Sequence, residues 1–368
     1  MIKGAIFLRP KQQLFITLLV ILGALFNNIS VSASAFNFSV TPITSENQID
    51  KRKTYFDLQL DPDQEVEVKA ELRNDTEKEV KIDISVNSAT TNSNVMVEYG
   101  KNEIEKDMSL IFDLVDYVSY PQIVTLKPKS VQTVAFHVRM PNKRFDGVLA
   151  GGITFQEIQT EKDQTETKDQ SLSIENEYTY IIALLMRQTL NEVAPNLTLH
   201  EVKPDQINAR NVILANVQND QKTYINQVVI ETKITKKGHS EVLYQEEKEA
   251  LQIAPNTNFT NFSFPTALNG QPLTPGEYHL TMTVLGNENE NGKFSRKKGN
   301  TTINYTNQWV FEKDFTIDGK VAKELNTTDV TIKKDNNWIY ILVASLFLLF
   351  ILLCILLFVL RKKEEKEK

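Results

Sequence analysis

The chain has 368 residues, with 41 Lys and Arg against 47 Asp and Glu and a formal net charge of −6 at pH 7. An acidic surface of this kind excludes nucleic acid as a partner, because phosphate binding needs cationic neutralisation. The single cysteine, Cys354, excludes an internal disulfide, so the fold rests on core burial alone, which is feasible for domains of about 150 residues.

The first 35 residues read as a signal peptide. Lys3, Arg9 and Lys11 precede the short apolar run Leu14–Phe26, and Ala33-Ser34-Ala35 offers an A-x-A cleavage site. A cysteine-free exported region points to a bacterial cell surface rather than a eukaryotic one. On that reading the Asn-x-Ser/Thr triplets, such as those at Asn74 and Asn258, are accidental and not glycan acceptors.

Residues 36–193 read as a first β-sandwich. Glu65–Leu72 alternates strictly between polar and apolar, as a half-buried strand does, and Val80, Ile82, Ile84 and Val86 repeat the pattern after the turn cluster Asn74–Lys78. Val134, Phe136, Val138 and Met140 give another strand, stopped by Pro141. In the strand Val148–Phe155, Gly151 and Gly152 predict a bulge or a close backbone approach. Residues 156–176 are too polar to hold a core and are expected as a mobile hairpin tip, with Tyr178–Met186 pairing back on Val148–Phe155.

Residues 194–319 read as a second β-sandwich, entered after Pro195. Val228, Ile230, Thr232 and Ile234 lead into the turn Lys236-Lys237-Gly238-His239, and Val242 and Tyr244 return. Pro275-Gly276 opens the strand carrying Tyr278, Leu280, Met282 and Val284. Turn signals at regular spacing predict an all-β fold of two immunoglobulin-like sandwiches in series. Residues 320–337 are charged and poor in aliphatic side chains, and are expected as a stalk.

Trp338–Leu360 carries no charge over 23 residues. As a helix it would be ~34 Å long, enough to cross the ~30 Å hydrocarbon core. Trp338 and Tyr340 suit one interface. Arg361, Lys362 and Lys363 mark residues 361–368 as the cytoplasmic side. The expected topology is single-pass type I in a bacterial plasma membrane, with most of the chain outside.

Catalytic and metal constellations are not evident. His137, His200, His239 and His279 form neither an H-E-x-x-H nor a Cys/His zinc spacing. Asp61 with Asp63, and Asp113 with Asp116, are loop carboxylates without the fixed cleft a glycosidase needs or a full calcium loop. The expectation is therefore a non-enzyme without cofactor or metal. Val86–Asn94 instead gathers small uncharged polar side chains after a strand. Asn87, Thr90, Thr91, Asn92 and Asn94 could hydrogen-bond sugar hydroxyls and amides. The same composition fits a loop that caps its own backbone.

Several ordered stretches carry a resemblance. Phe38–Ile43, Asn47–Asp50, Thr54–Leu58, Asn87–Asn92 and Phe145–Phe155 together resemble the first domain of the WxL-interacting proteins of Gram-positive bacteria, and Leu197 to about Ile317 resembles the second. The resemblance implies a surface attachment protein whose first domain binds peptidoglycan. Its second domain would bind a WxL-domain surface protein or a host matrix protein. An adhesin for host extracellular matrix is the alternative.

Overall fold

The computed structural model describes residues 37–158, 178–263, 271–332, 343–353 and 355. The expected signal peptide lies outside the described residues, and so does the expected mobile tip (156–176) from residue 159 on; Gln156 and Glu157 belong to the strand that ends at Glu157. Most of the expected span also lies outside them; within it, residues 343–353 are helical. Among the described residues no helix is long and apolar enough to cross a membrane.

The first unit contains β1 (Ser39–Ile43), β2 (Phe56–Gln59), β3 (Glu65–Asn74), β4 (Val80–Ser88), β5 (Thr90–Thr91), β6 (Val97–Glu98), β7 (Val118–Ser119), β8 (Ile123–Leu126), β9 (Ser130–Arg139), β10 (Leu149–Glu157) and β11 (Thr179–Arg187). One sheet runs β1-β3-β9-β7 and the other β2-β11-β10-β4-β8. The strict alternation of β3 buries Val68, Ala70 and Leu72, and that of β4 buries Val80, Ile82, Ile84 and Val86. These side chains meet Phe136 of β9 and Phe155 of β10 between the sheets. The expected return of β11 on β10 is present, with Leu149 opposite Met186 and Gln156 opposite Thr179.

The second unit contains β12 (Leu197–Ile207), β13 (Arg210–Asn219), β14 (Ile225–Lys236), β15 (Val242–Ile253), β16 (Thr257–Ser263), β17 (Gly276–Glu288), β18 (Phe294–Lys298), β19 (Thr301–Ile317) and the helix α1 (Gly319–Thr328). A three-stranded sheet, β12-β13-β16, faces a five-stranded sheet, β15-β14-β17-β19-β18. Gly238, at φ +77°, makes the β14–β15 turn where the sequence places it. Beyond the end of β17, the β18–β19 hairpin covers the back of the long sheet. Tyr305, Phe294 and Ile303 pack there on Val229 and Leu285, and Arg296 sits among Glu231, Glu247 and Glu249.

The expected stalk is corrected over its first part. Asp318 caps α1 by accepting from the Lys320 and Val321 backbone N–H groups, and Ala322 is buried against the second core. The Asn326 side chain brackets the Leu273 backbone at 2.8 and 2.9 Å, and buried Asp329 accepts from Asn211 N at 2.8 Å. Residues 319–332 therefore belong to the second sandwich. The few aliphatic residues that suggested a stalk suffice, because one buried face and a set of polar side chains dock this short helix.

Candidate functional site at the domain junction

The stretch expected to bind a ligand is a hairpin, β5–β6, that reaches from the first unit into the second. Thr91 is 1% exposed. Its N–H donates to Thr257 Oγ1 at 3.1 Å, and its Oγ1 accepts from Ala254 N at 2.9 Å. Asn92 Oδ1 accepts from the backbone of Asn94 (2.9 Å) and Met96 (3.1 Å), while its Nδ2 donates to Glu98 at 2.7 Å. Asn87 donates to Ser85 Oγ and to the Tyr99 carbonyl, and Thr90 Oγ1 accepts from Asn102. Asn94 is exposed, and its side chain makes no hydrogen bond among the described residues. A groove of about 570 Å³ runs beside the hairpin, lined by Thr91, Asn92, Glu98 and Glu105 and by Asn216 and Asn258 of the second unit.

Val95 holds the hairpin tip. It is 0% exposed and sits in the second unit's core, although it belongs to the first by sequence. Its φ is +59°, a conformation a β-branched residue adopts only under strain of about 1–3 kcal/mol. Burial of a valine side chain returns about 1.5–3 kcal/mol. The two nearly cancel. The hydrogen bond from Gln252 N to Val95 O at 3.1 Å, with those of Thr91, tips the balance toward the docked state.

The glycine-rich strand of the first unit explains itself at the same place. From Leu149 to Phe155 every residue of β10 is buried. One face meets the sandwich core; the other meets a small cluster of Ala89, Val148, Ala150, Leu185 and Ala254 with Tyr99 and Tyr224. A Cβ on Gly152 would stand 2.7 Å from Tyr99 Cβ. A Cβ on Gly147, at φ +89°, would stand 2.3 Å from the Lys222 carbonyl, which accepts from Val148 N at 2.8 Å. The close approach expected at Gly151 and Gly152 is present, and Gly147 extends it to the second unit.

Polar bridges complete the junction. Buried Asp107 accepts both contacts from Gln218 Nε2 at 2.9 Å, and Ser109 N donates to it at 2.8 Å. Burial raises its pKa, but hydrogen bonds from Ser109, Gln218 and Asn258 outweigh this and hold the carboxyl below the usual range. Asn256 donates to Ser109 Oγ at 3.1 Å. The Tyr99 and Tyr224 hydroxyls meet at 3.1 Å, and burial raises both phenols.

On the linker side of the junction lies a second cleft, of about 810 Å³. Residues 189–195, which form neither strand nor helix, make part of its wall. Asp57, 3% exposed, forms its floor and is held by Arg187 Nε at 3.0 Å and Lys53 Nζ at 2.9 Å. Nothing in the sequence flagged Arg187, Lys222 or Tyr224. Arg187 ends a strand and the other two lie in the short connection before β14, and only the domain arrangement brings them together.

The other candidates are dispersed. Asp63 pairs with Arg139, Asp113 with Lys106 and Ser88, His279 with Asp314 at 2.7 Å, and His200 with Gln218 at 2.9 Å. No group of three or more His, Cys, Asp or Glu side chains placed to hold a metal occurs among the described residues.

Comparison with known families agrees with this two-unit build. The family model described as WxL Interacting Protein, peptidoglycan binding domain, matches residues 38–157, and that described as WxL Interacting Protein, host binding domain, matches residues 169–327. The chain belongs to the WxL-interacting protein family. The second match begins before β11, yet β11 pairs with β10 and β2 in the first unit's sheet. No curated protein matches the sequence. Among solved structures, a chaperone–tip adhesin complex of CFA/I fimbriae biogenesis is similar at 13% identity, covering 70% of this chain and 95% of that one, with a TM-score of 0.28. The class 5 fimbriae chaperone CfaA gives 15%, 75%, 99% and 0.26, and the YadV chaperone 9%, 77%, 100% and 0.28.

Proposed function

We propose that this protein is a non-catalytic attachment protein of a Gram-positive cell surface. Its first domain binds peptidoglycan and its second binds a protein, either a WxL-domain surface protein or a host matrix protein. The observation that carries the reading is the pair of family matches in order along one chain, a peptidoglycan-binding domain followed by a host-binding domain. The apolar stretch Trp338–Leu360 with its basic flank supports a membrane anchor, and the features of residues 1–35 support export. A tether at one end and a wall contact at the other raise each other's effective concentration, so retention exceeds that of either alone.

Full-length protein incubated with purified wall should sediment with it and release no muropeptides. Failure to sediment would overturn wall binding; release of muropeptides would make it an enzyme. Sedimentation of a WxL-domain protein only when this protein is present would establish the second contact, and binding to immobilised fibronectin instead would move the function to host adhesion. On the β5–β6 hairpin, where the side chains of Thr90, Thr91 and Asn92 are engaged by the protein, the exposed side chain of Asn94 supports a point of wall contact. Asn94→Ala with unchanged stability and weakened sedimentation would assign it.

A further inference from the structure

The two clefts of the junction differ in what their polar groups have left to offer. In the linker-side cleft an amide chain runs in one direction. Gln252 Nε2 donates to Asn226 Oδ1 at 2.7 Å, Asn226 N donates to Asn287 Oδ1 at 2.9 Å, and Asn287 Nδ2 donates to Asn307 Oδ1 at 3.0 Å. Each link consumes an acceptor oxygen. The Nδ2 groups of Asn226 and Asn307 are left without a partner among the described residues.

Two cations share this cleft with the amides. Arg187 reaches Asp57 through Nε, and its two terminal nitrogens have no partner among the described residues. Lys222 Nζ has none either, while its backbone is fixed by Val148. The one buried carboxylate, Asp57, is already matched by Arg187 and Lys53. The exposed carboxylate of Glu192 also lines the cleft, and its free donors are those of Arg187, Lys222, Asn226 and Asn307. Its volume of about 810 Å³ is in the range of small-ligand sites, roughly 300–1,000 Å³.

A ligand complementary to it carries acceptors and a negative charge. Guanidinium and ammonium groups take a carboxylate, and the fixed amide N–H groups take carbonyl or hydroxyl oxygens. We infer that the cleft formed by Arg187, Lys222, Asn226 and Asn307 binds a carboxylate flanked by amide or hydroxyl groups, as found on an acetamido sugar acid or at the end of a short acylated peptide. The inference rests on the wall-binding reading above and extends the wall contact beyond the first domain, because Lys222, Asn226 and Asn307 belong to the second unit.

The test uses full-length protein bound to purified wall, challenged with N-acetylmuramic acid, with N-acetyl-D-alanyl-D-alanine, or with N-acetylglucosamine, which lacks the carboxylate. The expected result is that at least one of the two acids displaces the protein and N-acetylglucosamine does so at least tenfold less well; which acid succeeds identifies the source of the carboxylate. Lys222→Glu and Asn307→Asp, which leave the Asp57 ion pairs intact, should each weaken retention at least tenfold at an unchanged melting temperature. Equal displacement by the three compounds, displacement by none, or wild-type retention of both variants would overturn the inference while leaving wall binding in place. Loss of wild-type retention itself would remove the wall reading on which the inference rests.

Discussion

The two sides of the domain junction are built from similar residues and arranged to opposite ends. On the hairpin side, the hydrogen-bonding groups of Thr90, Thr91, Asn92 and Asn87 are engaged by the protein, and Val95 is driven into the neighbouring core against its backbone preference. On the linker side, the amide chain and Arg187 end in groups that nothing among the described residues engages. Composition alone does not separate a polar side chain that holds two domains together from one that faces a ligand. The direction of the hydrogen bonds does.

The contrast can be broken most forcefully at Val95. Val95→Asp places a charge in the second core with no counter-ion, and should cost about 3–5 kcal/mol in denaturant unfolding. The first sandwich core does not include this residue, so the loss should be read as separation of the two units, visible as faster proteolysis of the junction. A loss under 1 kcal/mol would mean that the hairpin does not lock the domains. Gly147→Ala adds a methyl group against the Lys222 carbonyl at a positive φ, and should cost about 2 kcal/mol or more by the same assay. Thr91→Val keeps the shape but leaves the buried Ala254 N–H unpaired, for a cost of about 1–2 kcal/mol.

Acid weakens the junction more gently. Burial raises the Asp107 pKa, but the hydrogen bonds to its carboxylate win and hold it below the unfolded value of about 3.9. A depressed folded pKa gives stability that is complete above the unfolded value and lost as pH falls through the folded one. Wild type should therefore exceed Asp107→Asn in urea midpoint at pH 6, and the gap should narrow below about pH 4. A gap that widens on acidification would contradict the bridge to Gln218. Smallest of all, Lys222→Glu should change stability by no more than about 0.5 kcal/mol, since its side chain supports nothing among the described residues.

Much of this fold was legible in the chain. The period-two patterns of Glu65–Leu72 and Val80–Val86 translate directly into buried faces, and the Lys236–His239 turn falls where Gly238 permits it. The doublet Gly151-Gly152 announced a close approach without saying to what. Tyr99 and the β4 backbone answer that only in three dimensions. The polar run Asn87–Asn94 was legible as a place where backbone and side chain hydrogen-bond, but not as a bridge. Its anchor is one valine beyond it, and its partners at Ala254 and Thr257 lie more than 160 residues away. Helix α1 escaped because it is ten residues long and Val321, Ala322 and Leu325 are its only apolar residues, too few to stand out among charged neighbours. The linker-side cleft escaped because Arg187, Lys222, Asn226 and Asn307 share no motif.

The most direct test measures wall retention and urea midpoint side by side for two full-length variants, Thr91→Val and Lys222→Glu. Opposite losses are expected. Thr91→Val lowers the midpoint and, in buffer without denaturant, still sediments with wall; Lys222→Glu keeps the midpoint and is retained at least tenfold less. The reverse pattern, with Lys222→Glu destabilised and bound or Thr91→Val stable and unbound, would contradict the assignment of the hairpin to holding and the cleft to binding.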